Sequence, residues 1–143
     1  MRTLKRSALL AQPPGRLYAL INDIERYPAF LPWCTAARID SRSDSEIIAT
    51  LSARRGPLHA QFTTRNTLVP ERSIAMQLVR GPFKTLEGLW TLVPLGDSGT
   101  RIELAMRFAF ANPLTAAIFE PWFEQAAGSM VDAFVAQARA VSS

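Results

Sequence analysis

One histidine and one cysteine stand in this chain of 143 residues, and their scarcity removes several chemistries at once. A single thiol, Cys34, excludes an internal disulfide and any multi-cysteine zinc site. The only imidazole, His59, has no acidic, Ser or Cys residue beside it in sequence to orient or use it as a general base. The 12 carboxylates are scattered, with no pair spaced for acid/base work and no metal-ligand spacing. None of the 7 glycines belongs to a phosphate-cradling loop. No apolar run approaches the roughly 20 residues of a membrane-spanning helix. The basic start, Met1 to Arg6, is followed only by Ala8–Ala11 before Pro13-Pro14, too short for a secretory signal core. These absences lead us to expect a cytoplasmic protein that is not an enzyme and needs no metal or cofactor.

What is present fits one folded domain over residues 1–143, with 48% apolar and 20% charged residues. The net charge is +4, and 14 of the 16 cations are Arg. The excess lies in the middle: residues 54–107 carry 8 basic and 4 acidic side chains, whereas residues 108–143 carry 1 and 3. Arg grips phosphate in a bidentate way, which makes RNA or anionic lipid headgroups candidate partners. The plainer alternative is a set of Arg-rich, solvated strand faces. Arg54, Arg55, Arg65 and Arg107 are the candidates for a basic partner face.

Periodicity supplies the architecture. Asn112-Pro113 is a helix start: the Asn side chain can cap free backbone N–H groups, and Pro at the first helical position forfeits a donor that had no partner. Behind it, Ile118, Trp122, Phe123, Ala126, Ala127, Met130, Val131, Phe134, Ala138 and Val141 recur at three- and four-residue steps, one apolar stripe of a helix about 42 Å long. Pro121 is expected to kink it or to end a first turn. Upstream, Arg2–Leu10 reads as a strand and Gly15–Asp23 as a short helix, followed by a second turn through Glu25 and Arg26. The apolar, proline-interrupted stretch Tyr27–Cys34 reads as a compact loop packed on the domain. From Thr35 the period changes to two, with turns at 41–45, 56–57, 70–71, 81–82 and 95–99. The expected fold is therefore α+β: about seven antiparallel strands curled around a long C-terminal helix, with two short helices after the first strand.

On the apolar face of that sheet lie Phe62, Met76, Leu86, Trp90, Met106 and Phe108, joined by Thr64 and Asn66. Gly88 on the same face is expected to leave volume empty, and Met76, Met106 and Met130 are adaptable fillers. Buried Thr64 and Asn66 would need partners. A few polar groups in an apolar enclosure are the usual make-up of a small-molecule site, although the same residues also fit an ordinary core. Tyr27, Phe30, Leu31 and Trp33, with Phe119, Trp122 and Phe123 of the helix, are expected to form the mouth. The alternative is that Phe30 and Trp33 plug one end of the core. Lys84 shares the alternation of Leu86 and Trp90 but sits where its chain can reach solvent. On the polar face, Arg65 and Glu87 can each pair with an opposite charge on a neighbouring strand.

The blocks Tyr27-Pro-Ala-Phe-Leu-Pro-Trp-Cys34, Phe62-Thr-Thr-Arg-Asn66 and Gly81-Pro-Phe-Lys-Thr-Leu-Glu-Gly-Leu-Trp90 carry a resemblance over nearly the whole chain. The sequence resembles START-like, polyketide-cyclase-like domains of the helix-grip fold, in the branch of ubiquinone-binding chaperones and RatA toxins. Gln12-Pro-Pro-Gly15 is less typical of that branch. The resemblance implies first a non-enzymatic carrier that holds ubiquinone, or a related prenylated quinone, between sheet and helix in support of respiration. It implies as an alternative a toxin of a toxin–antitoxin pair that binds the large ribosomal subunit and blocks subunit association. An aromatic polyketide cyclase is a third reading, set back by the missing acid/base pair. The partners expected are thus a hydrophobic quinone, the large ribosomal subunit and a transient membrane surface, and no DNA.

Overall fold

The computed structural model describes residues 2–97 and 99–142. Strand β1 (Arg2–Leu10) leads into helix α1 (Pro14–Asn22), a 3-10 turn (Ile24–Arg26) and a single helical turn, α2 (Tyr27–Phe30). Six strands follow, β2 (Cys34–Arg42), β3 (Glu46–Arg55), β4 (Leu58–Val69), β5 (Ser73–Arg80), β6 (Phe83–Leu95) and β7 (Gly99–Phe110), and then helix α3 (Pro113–Ser142). The strands form one antiparallel sheet in the order β1-β7-β6-β5-β4-β3-β2, so the chain meanders from β2 to β7 and β1 closes beside the last strand. This is the α+β layout that the period change indicates. Ser98 of the turn 95–99 and the side chains of Leu58 and Val141 lie outside the described residues.

The helix starts follow the proline chemistry. Pro14 takes the first helical position of α1, one residue earlier than the apolar spacing indicates. At α3 the Asn112 Oδ1 accepts from the N–H groups of Leu114 (2.8 Å) and Thr115 (3.3 Å). Pro121 neither ends nor divides α3, which runs through it as one element. The stretch after the 3-10 turn is more regular than a loop. Leu31 N–H donates to the Tyr27 carbonyl at 2.8 Å, closing one turn, and Cys34 already belongs to β2.

Helix α3 lies on the inner face of the sheet and is fastened near both ends. Arg2 Nε and Nη1 reach Glu120 and Glu124 at 3.3 Å, and Glu120 Oε2 also accepts from Phe110 N–H at 3.0 Å. Near the other end, the buried Gln12 donates from Nε2 to the Ala138 carbonyl at 2.7 Å, while its backbone carbonyl accepts from Thr100 Oγ1 at 2.7 Å. Between these fastenings Phe119, Trp122, Phe123, Ala126, Ala127, Met130, Val131, Phe134 and Ala138 are buried. Ile118 departs from the expected stripe: it is 52% exposed and points away from the sheet.

The alternation of the strands is broken in places that matter. A register shift between Phe83 and Thr85 turns Phe83 inward, where it meets Phe62, Phe110 and Phe123 at 5.5, 4.4 and 5.1 Å between ring centroids. Strict alternation would have placed Lys84 on the core side; it is exposed instead. Gly81, at φ 153, allows the tight hairpin before it, and a Cβ there would lie 2.7 Å from the Phe62 Cβ. On the outer face Thr50 and Thr63 are nearly inaccessible, at 3% and 1% exposure. Asp40 of β2 covers them: Thr50 Oγ1 bonds to Asp40 Oδ2 at 2.6 Å and to Thr63 Oγ1 at 2.7 Å, and Arg38 holds Asp40 at 2.7 Å. The Thr50 and Arg38 hydrogen bonds keep the Asp40 carboxyl below its ordinary pKa.

The shift at Phe83 gives a direct test. Phe83→Ala should cost about 3–5 kcal/mol, as for a buried phenylalanine, and Lys84→Ala less than about 0.5 kcal/mol. Urea unfolding of the two variants checks the inward turn; equal losses would restore strict alternation.

Candidate functional site: an apolar cavity and a basic end

The buried rings fall into two groups. Phe62, Phe83, Phe108, Phe110, Phe119, Trp122 and Phe123 pack edge-on or stacked at the end where α3 begins. Tyr27, Phe30, Trp90 and Phe134 pack further along the helix, with centroids 5.3 to 6.0 Å apart. Between the groups the helix presents Ala126, Ala127 and Met130, and the sheet presents Ala49, Gly88, Met76 and Met106. Small side chains between two bulky clusters leave space, and a cavity of about 60 Å³ lies there.

Phe62, Thr64, Asn66, Met76, Leu86, Gly88, Trp90, Met106 and Met130 all line this cavity, together with Tyr27, Trp33 and Phe123. Phe108 does not. It is fully buried, packed on Phe123 at 4.8 Å, and belongs to the solid cluster. Leu31 is buried away from the lining, Phe30 packs on Phe134, and Phe119 and Trp122 stack at the Phe110 end, so these four do not form a mouth. Ile24, Ala49, Leu51, Ala126 and Ala127 complete the walls. Their alanines carry no pattern that distinguishes a cavity wall from a close helix–sheet contact, and only the bulk of their neighbours makes the difference.

Gly88 also needs a correction. The volume it frees is filled by the Met76 methyl, against which a Cβ at position 88 would clash, with Met106 Cγ at 3.5 Å. The open space lies beside Met76, so the cavity size depends on a flexible thioether chain.

Its polar chemistry is narrow. Among the described residues no charged side chain lines it. Thr64 Oγ1 donates to Asn66 Oδ1 at 2.9 Å, which settles the two buried groups on each other and leaves the Asn66 amide N–H groups without a protein acceptor among the described residues. Trp33 Nε1 is buried and also unpartnered. The Tyr27 hydroxyl is spent on the Ile21 carbonyl, and burial holds its pKa well above the usual tyrosine value. The lining residues Trp33 and Asn66 are thus the ones that carry N–H groups in an otherwise apolar wall.

The four candidate arginines divide into two pairs. Arg54 and Arg55 end β3 at the hairpin before Leu58, whereas Arg65 stands six residues further along β4 than His59, the register partner of Arg54, or about 20 Å away. Arg65 pairs with Glu46 at 3.5 Å, and Arg107 stands opposite Glu87 in the register. The outer face is thus mixed in charge, and the pairing open to Glu87 is across β6–β7. His59 is exposed, opposite Arg54. Among the described residues no group of three or more His, Cys, Asp or Glu side chains is placed to hold a metal ion.

Comparison with known proteins agrees with this geometry. The profile of the family described as "Polyketide cyclase / dehydrase and lipid transport" matches residues 10–135. The ribosome association toxin RatA of Pseudomonas aeruginosa is 46% identical over 136 residues, covering 95% of this chain and 94% of that protein. The chain belongs to the polyketide cyclase and lipid transport family, in the branch that holds the RatA proteins. An 18 kDa protein of Caulobacter crescentus, CC1736, is 32% identical and superposes with a TM-score of 0.77 over 99% of both chains. The Zhui aromatase/cyclase of Streptomyces sp. R1128 reaches a TM-score of 0.85 at 17% identity over 96% of this chain and 93% of that one, which establishes a shared fold and nothing of its chemistry. Within this family fold, no helix among the described residues is long and apolar enough to cross a membrane.

Cys34 begins β2 beside this site and is buried; its S–H faces the Ala36 carbonyl at 3.5 Å, and burial pushes the thiol up to about 11. At neutral pH it is protonated, and a thiol in that state is a poor nucleophile. A thiol-reactive disulfide reagent should therefore label the native protein at least about tenfold more slowly than the protein in denaturant. Equal rates would show the thiolate to be accessible and active.

Proposed function

We propose that this protein acts on the ribosome in the manner for which the RatA relatives are named, binding the large subunit in the cytoplasm and blocking subunit association. The observation that carries this reading is the 46% identity to a ribosome association toxin along 95% of the chain. A non-enzymatic role accords with it. The lone imidazole is exposed, the thiol is buried and protonated, and the cavity wall carries no acid/base pair. The test is co-sedimentation with purified large subunits at rising salt. Binding that uses phosphate contacts should weaken steeply, since each contact releases counterions. The split among the arginines calls for two variants, Arg54→Gln with Arg55→Gln at the hairpin and Arg65→Gln with Arg107→Gln on the sheet. Loss in one pair identifies the contact surface. Absence of co-sedimentation by the wild-type protein would sink the reading.

The cavity favours a second, compatible activity: binding of a small neutral molecule that carries hydrogen-bond acceptors. Trp33 Nε1 and the Asn66 amide are donors without protein acceptors, and a carbonyl compound such as a quinone supplies acceptors. At about 60 Å³ the space is several times smaller than the roughly 300–1,000 Å³ of drug-sized ligand sites, so an isoprenoid tail would need Met76 and Met130 to swing away. The prenylated-quinone reading therefore stands behind the ribosomal one. Native mass spectrometry followed by organic extraction would reveal a co-purifying quinone. In titrations with a short-chain quinone, Met76→Ala should bind at least about threefold more tightly by enlarging the space, and Gly88→Leu should bind less. Stability must be followed in both, because overpacking at position 88 costs about 1–3 kcal/mol. Folded variants that bind alike would remove the cavity from the reading.

A further inference from the structure

The first three turns of α3 have an apolar solvent side. Leu114 is 78% exposed and Ile118 52%, and Ala117 and Pro121 between and beyond them are exposed too. A surface helix normally turns charged or polar residues outward, and α3 does so further along with Gln125, Ser129, Asp132 and Arg139. The one carboxylate in these turns, Glu120, is engaged by Arg2 and by Phe110 N–H on the β1 side.

This stripe lies near a cationic part of the molecule. Ala111 N–H donates to the Pro82 carbonyl at 2.9 Å, which sets the hairpin before Lys84 against the helix start. Gly81 packs on Phe62 of β4, three residues, or about 10 Å, from His59, the register partner of Arg54. Residues 54–59, 80–86 and 111–119 contain no Asp or Glu. Together these segments carry Arg54, Arg55, Arg80 and Lys84, a local charge of +4. Arg80, on its sheet side, lies within reach of Asp40, whereas Arg54, Arg55 and Lys84 form no ion pair with a carboxylate among the described residues.

We propose that this end of the molecule docks peripherally on an anionic lipid surface, with Leu114 and Ile118 entering the headgroup boundary and Arg54, Arg55 and Lys84 meeting the lipid phosphates. Charge alone would serve RNA equally well. Two exposed aliphatic side chains decide between them: neither can stack on a base or bond to a phosphate, whereas an apolar stripe flanked by cations is what an interfacial helix presents to lipid. The stripe is about 12 Å long from Leu114 to Pro121, enough to lie in the interface and far too short to span it. This inference is independent of the ribosomal reading.

The test is sedimentation of the full chain with vesicles of phosphatidylcholine alone and of phosphatidylcholine mixed with phosphatidylglycerol. The wild type should bind the anionic vesicles and leave the neutral ones. Leu114→Ser with Ile118→Ser should lower that partitioning at least about tenfold, while Arg55→Gln with Lys84→Gln should remove the preference for anionic lipid. Both replace exposed side chains, and circular dichroism confirms that the fold is kept; Leu89→Ser, exposed on the outer sheet face, is the control that should bind as wild type. Wild-type protein that ignores anionic vesicles, or a Leu114/Ile118 variant that binds them undiminished, overturns the proposal. So does a Leu114/Ile118 variant that loses ribosome co-sedimentation and keeps vesicle binding, which would give the stripe to the ribosome. A concentration-dependent dimer that the same variant abolishes, with no vesicle binding by the wild type, would give it to a second copy of the chain.

Discussion

The fastening of α3 near both ends is the constraint on which the rest of the structure depends. Arg2 holds Glu120 and Glu124 from the first strand, Gln12 holds the Ala138 carbonyl from the segment after it, and both anchors lie in the first twelve residues. The ion pairs are partly exposed and contribute at most about 1 kcal/mol. Their larger effect is geometric: a helix held at two points keeps a fixed height over the sheet. Bulky rings fill the gap near the helix start and again at Phe134, and the alanines between them cannot. A rigid span over small residues cannot collapse to remove the void, which is the condition under which a native cavity persists.

The same arrangement limits what can enter. Met76 occupies the place beneath Gly88, and Met130 closes the helix side, so both boundaries of the free space are thioether chains with several rotatable bonds. Enlargement by rotamer change costs far less than lifting α3 from its fastenings. Selectivity would come from the donors. An unpartnered buried N–H penalises an occupant that has no acceptor, and an uncharged wall penalises any ion. Those two rules together favour small neutral carbonyl compounds over fatty acids or amines.

Much of this was legible in the sequence, because the period of the apolar pattern is a direct trace of which face is buried. The meander and the Asn112 cap follow from local chemistry that tertiary contacts did not override, whereas the pairing of β1 with β7 is a long-range contact that no local pattern specifies. On the strands, alternation assumes an unbroken ladder and an empty far side. Lys84 reaches solvent as its place at the strand start indicates, and the shift at Phe83 and Thr85, which no residue in Gly81–Thr85 announces, turns Phe83 to the core. Thr50 and Thr63 do face outward, yet Asp40 of the neighbouring strand covers them, and a strand pattern contains no information about what folds over it. Parity gives the inward face of the sheet and not which inward residues meet the space: Phe108 packs in the solid cluster, while Ala49 and Leu51 line the cavity. The lining was not readable at Phe30, Leu31, Phe119 and Trp122, where aromatic residues pack against each other, and there composition gives no direction.

Ile118 carries the same lesson in the other direction. In sequence it continues the three- and four-residue rhythm of the core stripe through Trp122, and nothing local separates it from Phe119. On the helix, successive residues are 100° apart, and the fastening by Glu120 and Glu124 fixes which side faces β1. With those two carboxylates held toward Arg2 and with Phe119 and Phe123 on the sheet, Leu114 and Ile118 are turned to solvent. An apolar arc wider than the core can accept is then exposed, and the excess is the part that the domain's own packing does not use. Because Arg54, Arg55 and Lys84, which form no ion pair among the described residues, lie toward the same end, unburied aliphatic surface and unpaired cations occur together. Folding stability gains nothing from either, since exposed aliphatic groups go unrewarded and like charges repel, so their coincidence is better explained by a partner outside the chain.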